Sequence, residues 1–335
     1  MRRRNGHSSW PPVAALAALV AAHAVTSAQA PSGPPAWAYG VAPAGLAGVG
    51  ARGTPAPPDD GSPKHLPGST QAFTLTEVRD GFNIADWFPG DHPTMPPIVA
   101  TGRRPDVRAC GLCHYPNGKG RPENAGISGL SVAYFVQQMA DFKHDLRRTA
   151  EPRKTNTALM AVYAKAMTDE EVRAAAEYFG AMASSPWITV VETATVPKTR
   201  LSGGMFIPLD GTDTEPVGQR IIEVPEHPDR TDLRDPRSGF VAYVPVGSIK
   251  KGEALAATGG SGRTTTCAVC HGGDLKGLGP VPGLAGRSPS YMVRQLYDMQ
   301  AGTRKGLWTD LMKSTVANLT ADDMLALAAY AASKR

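Results

Sequence analysis

Four segments of the chain repeat apolar side chains with the three- to four-residue spacing of an amphipathic helix. Thr168 and Thr320 stand directly before the second and fourth segments, each with an acidic residue three positions later, as in a capping box. This pattern predicts four helices and a mainly α-helical chain. Their apolar positions are Phe135, Met139 and Phe142; Val172, Ala176 and Phe179; Met292, Leu296 and Met299; and Met324, Leu327 and Ala331.

The four helices belong to an internal repeat. A shift of 157 positions places Tyr134 on Tyr291 and Gln138 on Gln295. The same shift superimposes two short motifs, Cys110-Gly111-Leu112-Cys113-His114 and Cys267-Ala268-Val269-Cys270-His271. A repeat of this length predicts two domains of one fold, which we expect at residues 71–187 and 247–335.

The remaining segments lack the helical period. Residues 188–246 contain two short apolar runs, 188–191 and 221–224, which predict strands within an irregular connector. We expect this connector to wrap the interface between the domains. Residues 31–70 are rich in Pro, Gly and Ala and predict a flexible linker, and the first domain then begins with an N-terminal arm.

The N-terminus has the pattern of an export signal. Three arginines at positions 2–4 precede an apolar run at 13–20, and Ala28-Gln29-Ala30 is a small-x-small site. We therefore expect residues 1–30 to be a signal peptide, cleaved after Ala30, and the mature protein to be periplasmic. Loss of these three arginines lowers the formal charge from +5 to +2, which disfavours nucleic-acid binding. No later segment predicts a transmembrane span, although association with a membrane complex is compatible with the sequence.

The two Cys-x-x-Cys-His motifs carry the chemistry. Two thiols at this spacing can each add to a haem vinyl group, and the adjoining histidine can then bind the iron. A zinc half-site or a redox dithiol would leave the adjoining histidines unexplained. The motifs use all four cysteines and predict two covalently bound haem c groups. The predicted binding residues are Cys110, Cys113 and His114 for the first haem, and Cys267, Cys270 and His271 for the second.

Each iron needs a sixth ligand to be saturated. Met160 lies seven residues before Met167, and Met312 lies seven before Leu319, so the two methionines hold equivalent positions ahead of the capped helices. They predict His/Met ligation, which favours the ferrous state. The rival ligands are Met167 and His144 in the first domain and Met299 in the second, with Met205 in the connector as a further candidate.

Each repeat resembles a class I cytochrome c domain, and the pair is similar to the tandem dihaem cytochromes of the c-four type. The resemblance covers about 109–183 and 248–335. It implies haem bound as above, with Met160 and Met312 as distal ligands. It also implies a Pro-x-Leu-x-Gly turn whose first carbonyl orients the axial histidine. Pro282-Gly283-Leu284-Ala285-Gly286 fits this turn, whereas the first copy has Ala125 in place of the proline. Arg304 and Trp308 resemble residues that contact haem propionates.

These features predict an electron-transfer protein and not an enzyme. We expect a periplasmic dehydrogenase as donor and an oxidase or another cytochrome as acceptor. The basic stretch at 143–154 is interpreted either as a steering surface for an acidic partner or as a solvated face. Two other functions stay open: a dihaem cytochrome c peroxidase, which needs one iron that opens to peroxide, and a haem subunit of a dehydrogenase complex.

Overall fold

The computed structural model describes Met1 and residues 33–42 and 58–335. The predicted signal peptide, apart from Met1, lies outside these residues. The helices are α1 (Ala36–Tyr39), α2 (Leu75–Arg79), α3 (Pro97–Ala100), α4 (Cys110–His114), α5 (Val132–Lys143), α6 (Thr155–Ala166), α7 (Asp169–Gly180), α8 (Pro228–Asp232), α9 (Ser248–Thr258), α10 (Ala268–His271), α11 (Pro289–Gln300), α12 (Asp310–Val316) and α13 (Ala321–Ser333). The strands are β1 (Lys64–His65), β2 (Ala72–Phe73), β3 (Ile188–Glu192), β4 (Thr195–Pro197), β5 (Thr199–Ser202), β6 (Met205–Pro208), β7 (Thr214–Pro216), β8 (Ile222–Pro225), β9 (Phe240–Val244), β10 (Gly277–Leu278) and β11 (Val281–Pro282).

The first set of helices packs around its own apolar core. Helix α5 contacts both α6 and α7, and it buries Phe135, Met139 and Phe142 on the face that the sequence predicts. Helix α7 begins after Thr168, whose side chain and that of Glu171 form the predicted capping box. These local patterns place α4, α5, α6 and α7 around the first motif.

The second set repeats this arrangement with an additional long helix. Helix α13 packs against α9 and α11, and Thr320 and Asp323 form its capping box. Gly252 of α9 faces the backbone of α13 so closely that a β-carbon there would overlap the Ala326 carbonyl. In the first set the helix directly ahead of the motif is the single turn of α3, whereas the second set has the long α9 there.

The connector is more ordered than the irregular segment expected from the sequence. Strand β9 lies between β3, which runs parallel to it, and β8, which runs antiparallel. Ile188, Phe240 and Val244 share one apolar core with α9, α11 and α13. The sheet therefore packs on the second set of helices, and the predicted strands at 188–191 and 221–224 are observed as β3 and β8.

The structure differs from the predicted flexible linker at both described ends of residues 31–70. Ala38 and Tyr39 of α1 are fully buried, and the Arg294 guanidinium donates to the Ala38 carbonyl at 2.6 Å. Farther along, β1 pairs with β2, and Leu66 is buried. The stretch is rich in Pro, Gly and Ala on average, but it also contains these few large side chains. Their burial offsets the entropy cost of ordering the backbone.

Within the described residues, no helix has both the length and the apolar character needed to cross a membrane.

Candidate functional site

One cavity of about 470 Å³ reaches both sets of helices, and its walls are mainly apolar. It is lined by all four cysteines and by both motif histidines, so the structure brings the predicted site residues to the same internal space. These lining residues are Cys110, Cys113, His114, Cys267, Cys270 and His271. The four cysteines form no disulfide and are free in the structure.

The two histidines are held in the same way. The Nδ1 atom of His114 lies 2.8 Å from the Ala125 carbonyl oxygen, and that of His271 lies 2.8 Å from the Pro282 carbonyl oxygen. Loss of the proline in the first copy therefore leaves this contact intact, because the carbonyl belongs to the backbone. Burial lowers the pKa of both histidines, which favours the neutral ring. With Nδ1–H donated to a carbonyl, Nε2 is the nitrogen available to a metal.

Of the predicted and rival ligands, four methionines line the cavity, whereas one histidine and one methionine do not. Met160 and Met312 lie on α6 and α12, the helices that precede the two capped helices, and both are partly buried. Met167 and Met299 also line the cavity. His144 is exposed at the end of α5, while Met205 is buried in β6 against the core of the second set. His144 and Met205 are thus absent from the cavity wall.

A reciprocal network joins the two copies beside the cavity. The Arg304 guanidinium donates to the Tyr134 hydroxyl and to the Gln138 amide oxygen, each at 2.9 Å. Arg147 donates to the Tyr291 hydroxyl at 2.9 Å and to the Gln295 amide oxygen at 3.2 Å.

The sequence contains a signal that predicts this network. Arg147 and Arg304 are separated by the same 157 positions as the motifs, and so the repeat itself pairs them. The family resemblance gives a role to Arg304 alone, and the structure adds Arg147 as its counterpart. Trp308 also lies at this junction, where it lines the cavity and stacks on Tyr134 with ring centroids 5.7 Å apart.

The chemistry of the cavity fits haem. Seven arginine and lysine side chains but only two carboxylates line it. Two buried side-chain nitrogens on the cavity wall, Arg304 Nε and Lys154 Nζ, have no hydrogen-bond partner among the described residues. Buried charges are costly unless they are paired, and each haem brings two carboxylates on an apolar ring. Cysteine thiols, a neutral imidazole and thioethers supply the remaining contacts that a haem c requires.

The basic stretch at 143–154 is largely compensated by acids. Arg147 belongs to the reciprocal network, and Lys154 is buried at 5% exposure. The other cations have carboxylate partners, which are Asp169 for Lys143 at 3.6 Å, Asp145 for Arg148 at 3.8 Å and Glu151 for Arg153 at 2.6 Å. The structure therefore offers little support for a steering surface in this stretch.

The structure also bears on the zinc alternative. Across residues 33–42 and 58–335, no three side chains of His, Cys, Asp or Glu come together as a metal-binding group. A zinc site that pairs the two cysteine motifs would require such a group.

Known proteins similar to this chain include several that are named as cytochromes. No family model matches the chain. Cytochrome c-554(548) of Halomonas halodenitrificans is 35% identical over 79 residues, which are 23% of this chain and 95% of that protein. Cytochrome c4 of Pseudomonas aeruginosa is 34% identical over 80 residues, or 24% of this chain and 38% of that protein. The "Thiosulfate dehydrogenase electron acceptor" of Stutzerimonas stutzeri is 24% identical over 233 residues, or 68% of this chain and 80% of that protein.

The similarity to cytochrome c-554(548) covers nearly the whole of that relative, and this chain carries the haem-attachment motif twice. The chain therefore belongs to the class I cytochromes c, as a tandem dihaem protein with two covalently bound haem c groups.

Proposed function

We propose that this cytochrome carries electrons between a periplasmic donor dehydrogenase and an oxidase or another cytochrome, without catalysing a reaction of its own. One observation carries the proposal: each motif and an equivalent methionine line the same cavity, so each haem can be saturated on both faces. A saturated iron offers no open position to a substrate. Haem supplies a one-electron iron couple when bound, and two haems would hold two electrons.

The roles of the residues follow from their positions. We assign the thioether bonds to Cys110 and Cys113 in the first copy and to Cys267 and Cys270 in the second. His114 and His271 would hold the two irons through Nε2, because Nδ1 of each ring is engaged by a backbone carbonyl. Met160 and Met312 would supply the second ligand of each iron, since both lie one helix ahead of a capped helix.

The donor is proposed from similarity. The relative in Stutzerimonas stutzeri is named as an electron acceptor of thiosulfate dehydrogenase, and it matches 68% of this chain. A dehydrogenase of that type is therefore the donor to test first. A haem subunit fixed in a dehydrogenase complex remains the alternative, and co-purification of the untagged dehydrogenase with this cytochrome would favour it.

A redox titration of the mature haem-loaded protein, followed by optical and EPR spectroscopy, tests the function. Two low-spin His/Met signals that do not respond to peroxide would support an electron carrier. Replacement of Met160 or Met312 by Ala should convert one haem to a high-spin form and lower its potential, because a thioether ligand favours ferrous iron. The matched controls Met167→Leu and Met299→Leu should retain both signals.

Two results would contradict the proposal. Rapid turnover of peroxide by the unmodified protein, with one high-spin haem, would identify a peroxidase. Loss of the thioether signal in Met167→Leu or Met299→Leu, with retention in the Ala variants, would reassign the distal ligands.

A further inference from the structure

We propose that redox partners dock on the second copy, over an uncharged apolar rim beside Cys270, and that the first motif is closed to protein partners. We define the rim as Val269, Cys270, Leu278, Pro280 and Leu311. The inference rests on the proposed electron-transfer function and adds the face through which electrons enter and leave.

The first motif is covered by two segments from elsewhere in the chain. Leu112, inside the motif, is only 5% exposed, and its carbonyl accepts a hydrogen bond at 2.7 Å from Arg234 of the connector. Just after the motif, the Asn117 amide donates to the Pro236 carbonyl at 2.7 Å. On the other side, Ala109 donates its backbone N–H to the Gly81 carbonyl at 2.9 Å in the N-terminal arm.

These two covering segments also hold each other in place. The Trp87 indole of the arm donates to the Leu233 carbonyl of the connector at 2.7 Å, and Trp87 is buried. Arg237 of the connector forms an ion pair with Asp91 of the arm at 2.7 Å and lies over the Phe88 ring. On the side of Leu112, a protein partner would have to displace this joined cover to reach the first motif.

The equivalent positions of the second motif are open. Val269, which the repeat aligns with Leu112, is 69% exposed, and Cys270 is exposed where Cys113 is only partly so. Leu278 of the adjacent strand β10 is 61% exposed. The two copies thus present the same motif in opposite environments.

Three members of the rim line the cavity where it meets solvent. Helix α10 packs against β10 and β11, which brings Val269 close to the β10–β11 hairpin. Cys270, Pro280 and Leu311 are exposed and also line the cavity, so they lie where it opens to solvent. Leu311, at 73% exposure, directly precedes the proposed ligand Met312.

The charges next to the rim cancel. Asp274 and Lys276 occupy the turn before β10, and Asp310 and Lys313 form an ion pair at 2.5 Å on α12. An acidic or a basic partner would gain little long-range attraction from such a surface. Charge complementarity therefore points to a partner whose own docking face is apolar and uncharged.

The size of the rim indicates a brief encounter. Five side chains expose on the order of a few hundred Å², which is typical of a functional apolar patch on a monomer. A stable dimer needs about 800 Å² from each partner, whereas weak redox encounters bury less. We therefore commit to a redox protein as the occupant, and a second copy of this chain becomes an outcome of the test.

Electron transfer from the fully reduced, haem-loaded protein to oxidised azurin, a blue copper protein, tests the docking face. The rim variant carries Val269→Asn with Leu278→Asn, neither of which lines the cavity. The matched control carries Val162→Asn with Leu146→Asn, an exposed valine and leucine of the first copy. We expect the second-order rate constant to fall about 10-fold in the rim variant and to stay within about twofold in the control.

Three results would overturn the docking face: an unchanged rate in the rim variant, an equal loss in the control, or a steep fall in the unmodified protein's rate between about 20 and 500 mM salt. Sedimentation of the unmodified protein as a dimer that the rim variant dissociates would assign the rim to a second copy instead. Both haem potentials are measured first in each variant. If the proposed electron-transfer function is wrong, these potential measurements will show a haem that is not reversibly reduced. That outcome is independent of the docking rates.

Discussion

The reciprocal arginine network makes a specific prediction about the coupling between the two copies. Each glutamine oxygen accepts from both arginines: Gln138 from Arg147 and Arg304 at 2.9 Å each, and Gln295 from Arg304 at 2.9 Å and Arg147 at 3.2 Å. Each tyrosine hydroxyl, in contrast, is contacted by the arginine of the opposite copy. Removal of one arginine therefore leaves both glutamines paired, and removal of both does not.

The magnitude follows from the groups left without a partner. Among the protein's own groups, Arg304→Met deprives only the Tyr134 hydroxyl of its donor, and Arg147→Met only the Tyr291 hydroxyl. The haem carboxylate that Arg304 would hold is lost in the Arg304 single variant and in the double variant alike, so it cancels in the cycle. An unsatisfied polar group costs about 1–3 kcal/mol when fully buried. The two tyrosine hydroxyls are half-buried, so each single variant should lose about 1 kcal/mol of unfolding free energy. The double variant also leaves the amide oxygens of Gln138 and Gln295 without a donor. It should lose about 2 kcal/mol more than the sum of the single variants, within the range observed for contacting residues.

Urea unfolding of the haem-loaded protein measures this coupling as a double-mutant cycle, with haem content verified for each variant. Arg173→Met serves as a control, because that side chain is 68% exposed on α7 and pairs only with Glu177 in the same helix. It should change the unfolding free energy by less than about 0.5 kcal/mol. If the two interface substitutions add within about 0.5 kcal/mol, the shared-acceptor reasoning is refuted.

Other predictions concern the N-terminal arm, helix α1 and the contact between α9 and α13. The His92 ring donates a hydrogen bond to the Asp86 carboxylate, which raises the pKa of His92. The resulting stability is therefore present below the unfolded pKa of about 6.5 and is lost as pH rises through the folded pKa. Asp86→Asn should therefore lower the unfolding free energy at about pH 6 and much less at pH 8.5, whereas an equal loss at both would exclude this linkage. Tyr39→Phe removes a 2.7 Å hydrogen bond to the buried Asp298 carboxylate on α11 and should lower the unfolding free energy by about 1–3 kcal/mol. Thermal unfolding measures this loss, and an unchanged midpoint would show that this contact of α1 does not stabilise the fold. Gly252→Ala forces a β-carbon against the Ala326 carbonyl and should destabilise the second set of helices by about 1–3 kcal/mol or more, and retention of full stability in urea would refute this close approach.

Much of the site was predictable because its signals are local. The attachment motifs, the capping boxes at Thr168 and Thr320 and the apolar faces of α5 and α11 each depend on residues within one or two turns of one another. The carbonyl contact of His114 was predictable despite the missing proline, since any residue at that position supplies a carbonyl. Met160 and Met167 both line the cavity, so position alone does not distinguish between them as ligands.

The sequence predicts the structure of the linker and the connector less accurately than that of the site, for a physical reason. Composition averages over a stretch, whereas burial is decided one side chain at a time. Tyr39 is fully buried within a segment rich in Pro, Gly and Ala because its hydroxyl meets Asp298, which lies 259 positions away. No pattern within residues 31–70 contains that partner.

The sequence by itself determined what this protein carries: two haem c groups, a repeated helical frame and the residues that can hold the cofactors. These properties depend on short spacings and on a repeat, which are readable along a chain. The tertiary structure decided how the two copies differ. Arg234 covers the motif at Leu112 across 122 positions, while Val269 in the same motif position stays open. Identical motifs acquire different surroundings because long-range contacts pair segments that share no pattern, and only the folded chain brings those segments together.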